Sequence, residues 1–215
     1  MVRAILDGRK TQTRRVIKNQ PAGDWPDDPI FVQYGDNKFK WKSVNYGESS
    51  WFDCPFGKVG DRLYVRETWG VVSHCFDDDG LMTDWIPDRP AKAIHELPYG
   101  RGYYNGHAIY AADGDFTWGD DDGGGDGRSC WNPSIHMPKA ASRITLEITD
   151  IRVERLHAIT LGDICKEIGC GLYDFRPATH GFSVWEDTWK SIHGQDSWQS
   201  NPWVWVVEFK RVEAA

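Results

Sequence analysis

Ser142-Arg143-Ile144-Thr145-Leu146-Glu147-Ile148-Thr149 is the most regular stretch of the chain. Ile144, Leu146 and Ile148 fall on one face of an extended backbone, with polar residues between them, the period-two signature of a strand with one buried side. Ile151, Val153 and Leu156 carry the pattern on after a kink expected at Asp150. Trp203-Val204-Trp205-Val206-Val207-Glu208-Phe209-Lys210 is β-branched and aromatic and reads as a buried strand over 203–211. A third strand is read at 62–69, where Leu63, Val65 and Glu67 alternate with Arg62, Tyr64 and Arg66 after a Gly60-Asp61 turn. Short helices are expected at 1–8, ended by Gly8; at 160–169, opened by a Thr160-x-x-Asp163 capping box; and at 183–193, opened by Ser183-x-x-Glu186 and stopped by Gly194. So few, unevenly spaced strands do not suit a doubly wound sheet, and the expected class is α+β with mostly antiparallel pairing.

Composition narrows the partners. The 215 residues carry a formal net charge of −7, 40% are hydrophobic and 12 are Trp, enough for an aromatic, β-rich core. An acidic chain is poorly suited to a broad nucleic-acid groove. There is no apolar run of eighteen residues and no apolar leader at the start, so neither a membrane span nor a secretory signal is expected. Five scattered cysteines (Cys54, Cys75, Cys130, Cys165 and Cys170) read as reduced thiols of a cytoplasmic protein; their spacing completes no zinc set, and no metal or cofactor is expected. The polar stretch 19–56 has no clear period. Residues 73–127 hold twelve acids against Arg89, Lys92 and Arg101. Both read as insertions in one domain covering 1–215, the second with a short strand at Gly106–Ala112 and an exposed, mobile Asp- and Gly-rich loop at 120–127.

Against this acidic background the first eighteen residues stand out. Arg3, Arg9, Lys10, Arg14, Arg15 and Lys18 face Asp7 alone, a net +5. Such a knot reads as a local site for an anion or a polar substrate, or as solvated surface charge.

Three segments carry a family resemblance. Gly8-Arg9-Lys10-Thr11-Gln12-Thr13-Arg14 resembles the G-x-K-x-x-T-x-R opening of the ASCH family, Val59-Gly60-Asp61-Arg62-Leu63 its G-D strand entry, and Phe209-Lys210 the close of its last strand. Longer strings at 58–69, 131–155 and 201–212 resemble a phage and prophage subgroup. The resemblance implies a PUA-like β-barrel with short flanking helices and long loop insertions. It further implies an amidohydrolase acting on a C–N amide bond of an acylated cytosine nucleoside such as N(4)-acetylcytidine. Ribonuclease or RNA-binding activity at the same basic pocket, and non-catalytic reading of a modified base, are the alternatives it offers. The partner is then a modified nucleoside or RNA, met in the cytoplasm, a host's if the protein is phage-encoded.

By the same resemblance the catalytic residues fall on Lys10, Thr13 and Glu167, with Asp163 or Glu67 as substitutes for the glutamate. Arg9, Arg14, Arg15, Arg66, Glu67, Trp69, His136 and Arg143 are the candidate substrate-binding residues, with Arg15, Arg66 or Arg143 at the rim and Trp69 stacking on a pyrimidine. Chemically the set is coherent. A threonine hydroxyl needs a base, and a lysine serves as one when burial and neighbouring cations pull its pKa down. Each residue also has a plainer reading: Lys10 as a helix-end cation, Thr13 as the start of a strand, Glu167 as surface charge. Because proton transfer is not packing, Lys10→Met is expected to leave stability nearly unchanged.

Overall fold

The computed structural model describes residues 1–21, 29–35, 37–118 and 130–212. In chain order the elements are α1 (Val2–Leu6), β1 (Gln12–Val16), β2 (Ile30–Tyr34), β3 (Lys38–Ser43), β4 (Gly47–Glu48), β5 (Phe52–Asp53), β6 (Arg62–Tyr64) and β7 (Trp69–Val72). Then come β8 (His74–Phe76), β9 (Met82–Asp84), β10 (Lys92–Tyr99), β11 (Gly102–Tyr110), β12 (Thr145–Arg155), α2 (Leu161–Ile168), α3 (Ala178–His193), α4 (Asp196–Gln199) and β13 (Trp203–Val212). The protein is α+β with mostly antiparallel strands and few, short helices. It divides into two compact units: Arg3–Leu63 with Leu146–Glu213, and Tyr64–Thr145.

The first unit is built on a sheet of order β1-β13-β12-β6. Strand alternation in β13 decides its layers. Trp203, Trp205 and Val207 point to one side and pack with Ile17, Phe39, Ile148 and Ile151. Val204 and Val206 point to the other and pack with Ile164 of α2 and Trp185 and Trp189 of α3. The first side is covered by a second sheet of β2, β3, β4 and β5, whose Phe39 meets Trp205 edge-on at 4.7 Å. Within the stretch without a clear period, residues Ile30–Tyr34, Lys38–Ser43, Gly47–Glu48 and Phe52–Asp53 thus form an antiparallel sheet. In β12 Leu146 and Ile148 are buried, Thr149 and Asp150 are both exposed, and Ile151 is buried again. The expected kink is a change of phase inside one unbroken strand.

The second unit has a sheet of order β10-β11-β7 and a β8–β9 hairpin. Its core gathers Trp69, Ile94, Leu97, Ala108, Tyr110 and Met137. Acidic residues 73–118 thus carry ordered strands, and the short strand expected at 106–112 starts earlier, at Gly102. The loop at 120–127 lies outside the described residues. The strand expected over 62–69 is two strands, β6 and β7, interrupted where Glu67 turns inward.

The capping box of α2 forms as expected: Thr160 Oγ1 accepts from Asp163 N at 3.2 Å, and Asp163 Oδ2 accepts from Thr160 N at 3.1 Å. At its other end Gly169 adopts φ +82°. A Cβ there would stand 2.6 Å from Ala4 Cβ, so Gly169 lets α1 and the end of α2 meet. Gly169→Ala is expected to cost about 2 kcal/mol or more, combining left-handed strain with overpacking, as read by urea unfolding. α3 differs from expectation, beginning at Ala178, so Ser183 lies within it and caps nothing. Its Gly181 is a packing residue, where a Cβ would meet Leu161 Cδ1 at 2.6 Å.

Candidate functional site

β1 alternates, and its two faces have different company. Ile17, just beyond it, joins the core around Trp205, whereas Val16 packs toward the helices. Gln12 and Arg14 share the Val16 face and are buried; Thr13 and Arg15 share the Ile17 face. The helix-side face meets α2, and here the basic knot finds its partners.

Lys10 is 6% exposed. Its Nζ donates to Gln12 O at 2.8 Å, to the backbone oxygen of Glu167, and to Glu167 Oε2 at 3.4 Å. Glu167 is 5% exposed, placed by the last turn of α2. Arg14, buried to 1%, reaches the same carboxylate from the other side, Nη1 to Oε1 at 3.3 Å. Its Nη2 bonds Glu154 Oε2 at 3.0 Å and pairs with Asp163 Oδ2 at 3.5 Å. Arg152 extends the network, contacting Glu154 at 2.6 Å, Glu208 at 2.7 Å and Asp163 at 3.2 Å. The Gln12 amide is satisfied with its nitrogen toward Asp163 Oδ1 and Glu208 Oε1, each at 3.1 Å.

Burial pulls the Lys10 pKa below its ordinary value; the Glu167 carboxylate opposes this, and nearby Arg15 adds to it. Burial pushes the Asp163 carboxyl up, but bonds from Thr160 and the charges of Arg14 and Arg152 outweigh it and hold it low. Glu208 is held low in the same way by Arg152 and Lys166. Carboxylates whose pKa falls on folding stabilise the protein above their unfolded pKa, and that contribution disappears as pH drops through the lowered folded values. Acid unfolding is therefore expected to begin below about pH 4 and to shift toward neutrality in Asp163→Asn, as followed by circular dichroism.

The structure thus brings together Lys10, Glu167, Arg14 and Asp163. It does not bring Thr13 to them: among the described residues the Thr13 side chain has no hydrogen bond to Lys10 or Glu167, and it belongs to the opposite face of β1. Arg9 is exposed and is occupied by Asp7 at 2.9 Å and by the Gly169 carbonyl. Arg15 is exposed, donating to Arg14 O at 3.3 Å. The expectation that Lys10 is dispensable for stability is corrected, since its ammonium is interior and paired.

The remaining expected site residues belong to the second unit. Trp69 is 0% exposed, held edge-on by Tyr99 at 5.3 Å and Tyr104 at 6.1 Å, so it offers no ring face to a ligand. Glu67, buried to 2%, is bound at both oxygens by Arg143, at 3.0 and 2.9 Å. Arg143 also bonds Asp113 at 2.6 Å and lies 3.9 Å from the Tyr110 ring centroid. Both side chains are consumed by an internal staple rather than turned toward a substrate. Arg66 is exposed and spans to Ile135 O and Tyr64 Oη at 2.9 Å each; His136 is exposed on a short 3-10 turn.

Sequence reading missed Arg152, Glu154 and Glu208. The signal was present: Asp150, Arg152 and Glu154 recur at period two beyond the phase change of β12, and Glu208 interrupts an otherwise apolar strand. Among the described residues no group of three or more His, Cys, Asp or Glu is placed to hold a metal ion, and no helix is long and apolar enough to cross a membrane. Comparisons of the chain with protein-family models, curated proteins and solved structures gave no match.

Proposed function

We propose that the protein is an amidohydrolase acting on an acylated cytosine nucleoside, with Lys10 as the residue that moves the proton. The observation that carries this reading is the interior Lys10–Glu167 pair, an amine whose pKa burial has lowered, held by a carboxylate on its Nζ. The proposed reaction runs through the deprotonated form of Lys10, which takes a proton from the attacking water as the oxygen adds to the acyl carbon. Lys10 returns that proton to the departing exocyclic amine as the C–N bond breaks. Glu167 holds the ammonium that exists between the two transfers. Water replaces Thr13 as nucleophile, because the Thr13 hydroxyl has no hydrogen bond to Lys10.

The α+β, mostly antiparallel architecture with short helices fits the PUA-like barrel that the opening motif implies. Within the motif Arg9, Lys10 and Arg14 are each ion-paired with an acid of this chain, which weighs against these three gripping the phosphates of an RNA. Incubation with N(4)-acetylcytidine should release cytidine and acetate, measured by chromatography. Glu167→Gln should slow that release by about 100-fold or more. A wild-type protein inert toward a panel of N(4)-acylated cytidines would remove the reading.

A further inference from the structure

The first unit contains a second feature that the Lys10 chemistry does not use. A cleft of about 600 Å³ opens on the side of the central sheet away from Glu167. Its walls include Trp41, Phe52, Phe56 and Trp205, and Lys18 and Asn19 stand at its margin. The volume falls in the roughly 300–1,000 Å³ range of small-molecule sites. Phe52 is held edge-on to Trp205 at 6.0 Å, while Trp41 and Phe56 are only half-buried and keep ring surface for a ligand.

Charge selects among flat ligands. Asp53 also borders the cleft, but Lys38 neutralises it at 2.9 Å. Lys18 is exposed and has no ion pair or hydrogen bond among the described residues, in contrast to Arg9, Lys10 and Arg14. Among the described residues the cleft therefore combines aromatic walls with a cation at its edge, Lys18, that no acid pairs. We propose that it binds a nucleoside monophosphate, the base stacked among the aromatic side chains and the phosphate at Lys18. The site stands apart from Lys10 and Glu167 and does not depend on the hydrolytic reading.

Isothermal titration of the full chain tests this with adenosine 5′-monophosphate, adenosine and ribose 5-phosphate as probes. The monophosphate should bind, adenosine several-fold more weakly, and ribose 5-phosphate not measurably. Lys18→Gln should bring the affinity for the monophosphate down to that for adenosine. Trp41→Ala should weaken binding at least 10-fold. Because Trp41 also supports its sheet, Ser50→Trp, which fills the mouth from an exposed position, serves as a second variant and should have the same effect. No heat from the monophosphate, equal binding of ribose 5-phosphate, or unchanged affinity in both Trp41→Ala and Ser50→Trp would each overturn the proposal.

Discussion

Lys10→Arg is expected to abolish hydrolysis while keeping most of the stability, and Lys10→Met to lose both. The guanidinium cannot give up a proton near neutrality, so Lys10→Arg should lose about 100-fold or more in turnover. It still presents a cation to Glu167, and its extra volume should cost about 1 kcal/mol of overpacking. Lys10→Met leaves Glu167 with Arg14 alone among its cations, and removing one member of so buried a pair costs about 3 kcal/mol. Turnover of an acylated cytidine and urea unfolding, measured on both variants, separate the two effects. Full activity in Lys10→Arg would sink a proton-transfer role, because charge alone would then suffice.

The largest stability effect is expected at Arg14. Its guanidinium is wholly interior and faces Glu154, Asp163 and Glu167. Arg14→Leu replaces it with an apolar side chain and leaves those carboxylates short of positive charge, for a loss of about 3–5 kcal/mol. Arg9→Ala, which removes an exposed pair with Asp7 and a hydrogen bond to the Gly169 carbonyl, should cost only about 1 kcal/mol. The two arginines lie five residues apart in one basic run, so urea midpoints of the two variants measure what burial does to otherwise similar charges. The deficit in Arg14→Leu should shrink as pH is lowered toward 4, where protonation relieves the unpaired carboxylates. A deficit that stays constant across that range would mean that lost packing, not charge, is the cause.

What could be read from the chain was what is decided locally. α2 is bounded by a capping box and a left-handed glycine, and both are properties of a few adjacent residues. β13 was legible because β-branched and aromatic residues fill it without interruption. The β2–β5 sheet was not, although Lys38-Phe39-Lys40-Trp41-Lys42 does alternate, because the turn-forming residues around it obscure so short a run. The end of the expected 62–69 strand failed for a tertiary reason: the Glu67 backbone N–H donates to Met137 Sδ, and its buried carboxylate accepts from Arg143. At the site, Lys10, Arg14 and Glu167 converge, yet Thr13 does not join them. Motif spacing counts residues and is blind to the pleat, which sends neighbours in β1 to opposite faces. The local +5 charge misled in a similar way, since the acids that pair with Lys10 and Arg14 are supplied by β12 and α2, far along the chain.

The pairing of β1 with β13 has a consequence for synthesis. Gln12 lies opposite Glu208 and Val16 opposite Val204, so β1 finds its sheet partner only once β13 has left the ribosome. Until then the Lys10 segment has neither its neighbouring strand nor, for most of translation, the carboxylate of Glu167. A nascent chain arrested before Trp203 would expose the apolar edge that β13 covers, and ribosome-release experiments should find residues 1–16 open to protease until translation has passed Val212. Long-range closure of this kind slows folding, because the entropy of joining distant segments is lost before their contacts form. The same arrangement withholds the Lys10–Glu167 pair from the growing chain until α2 has been made.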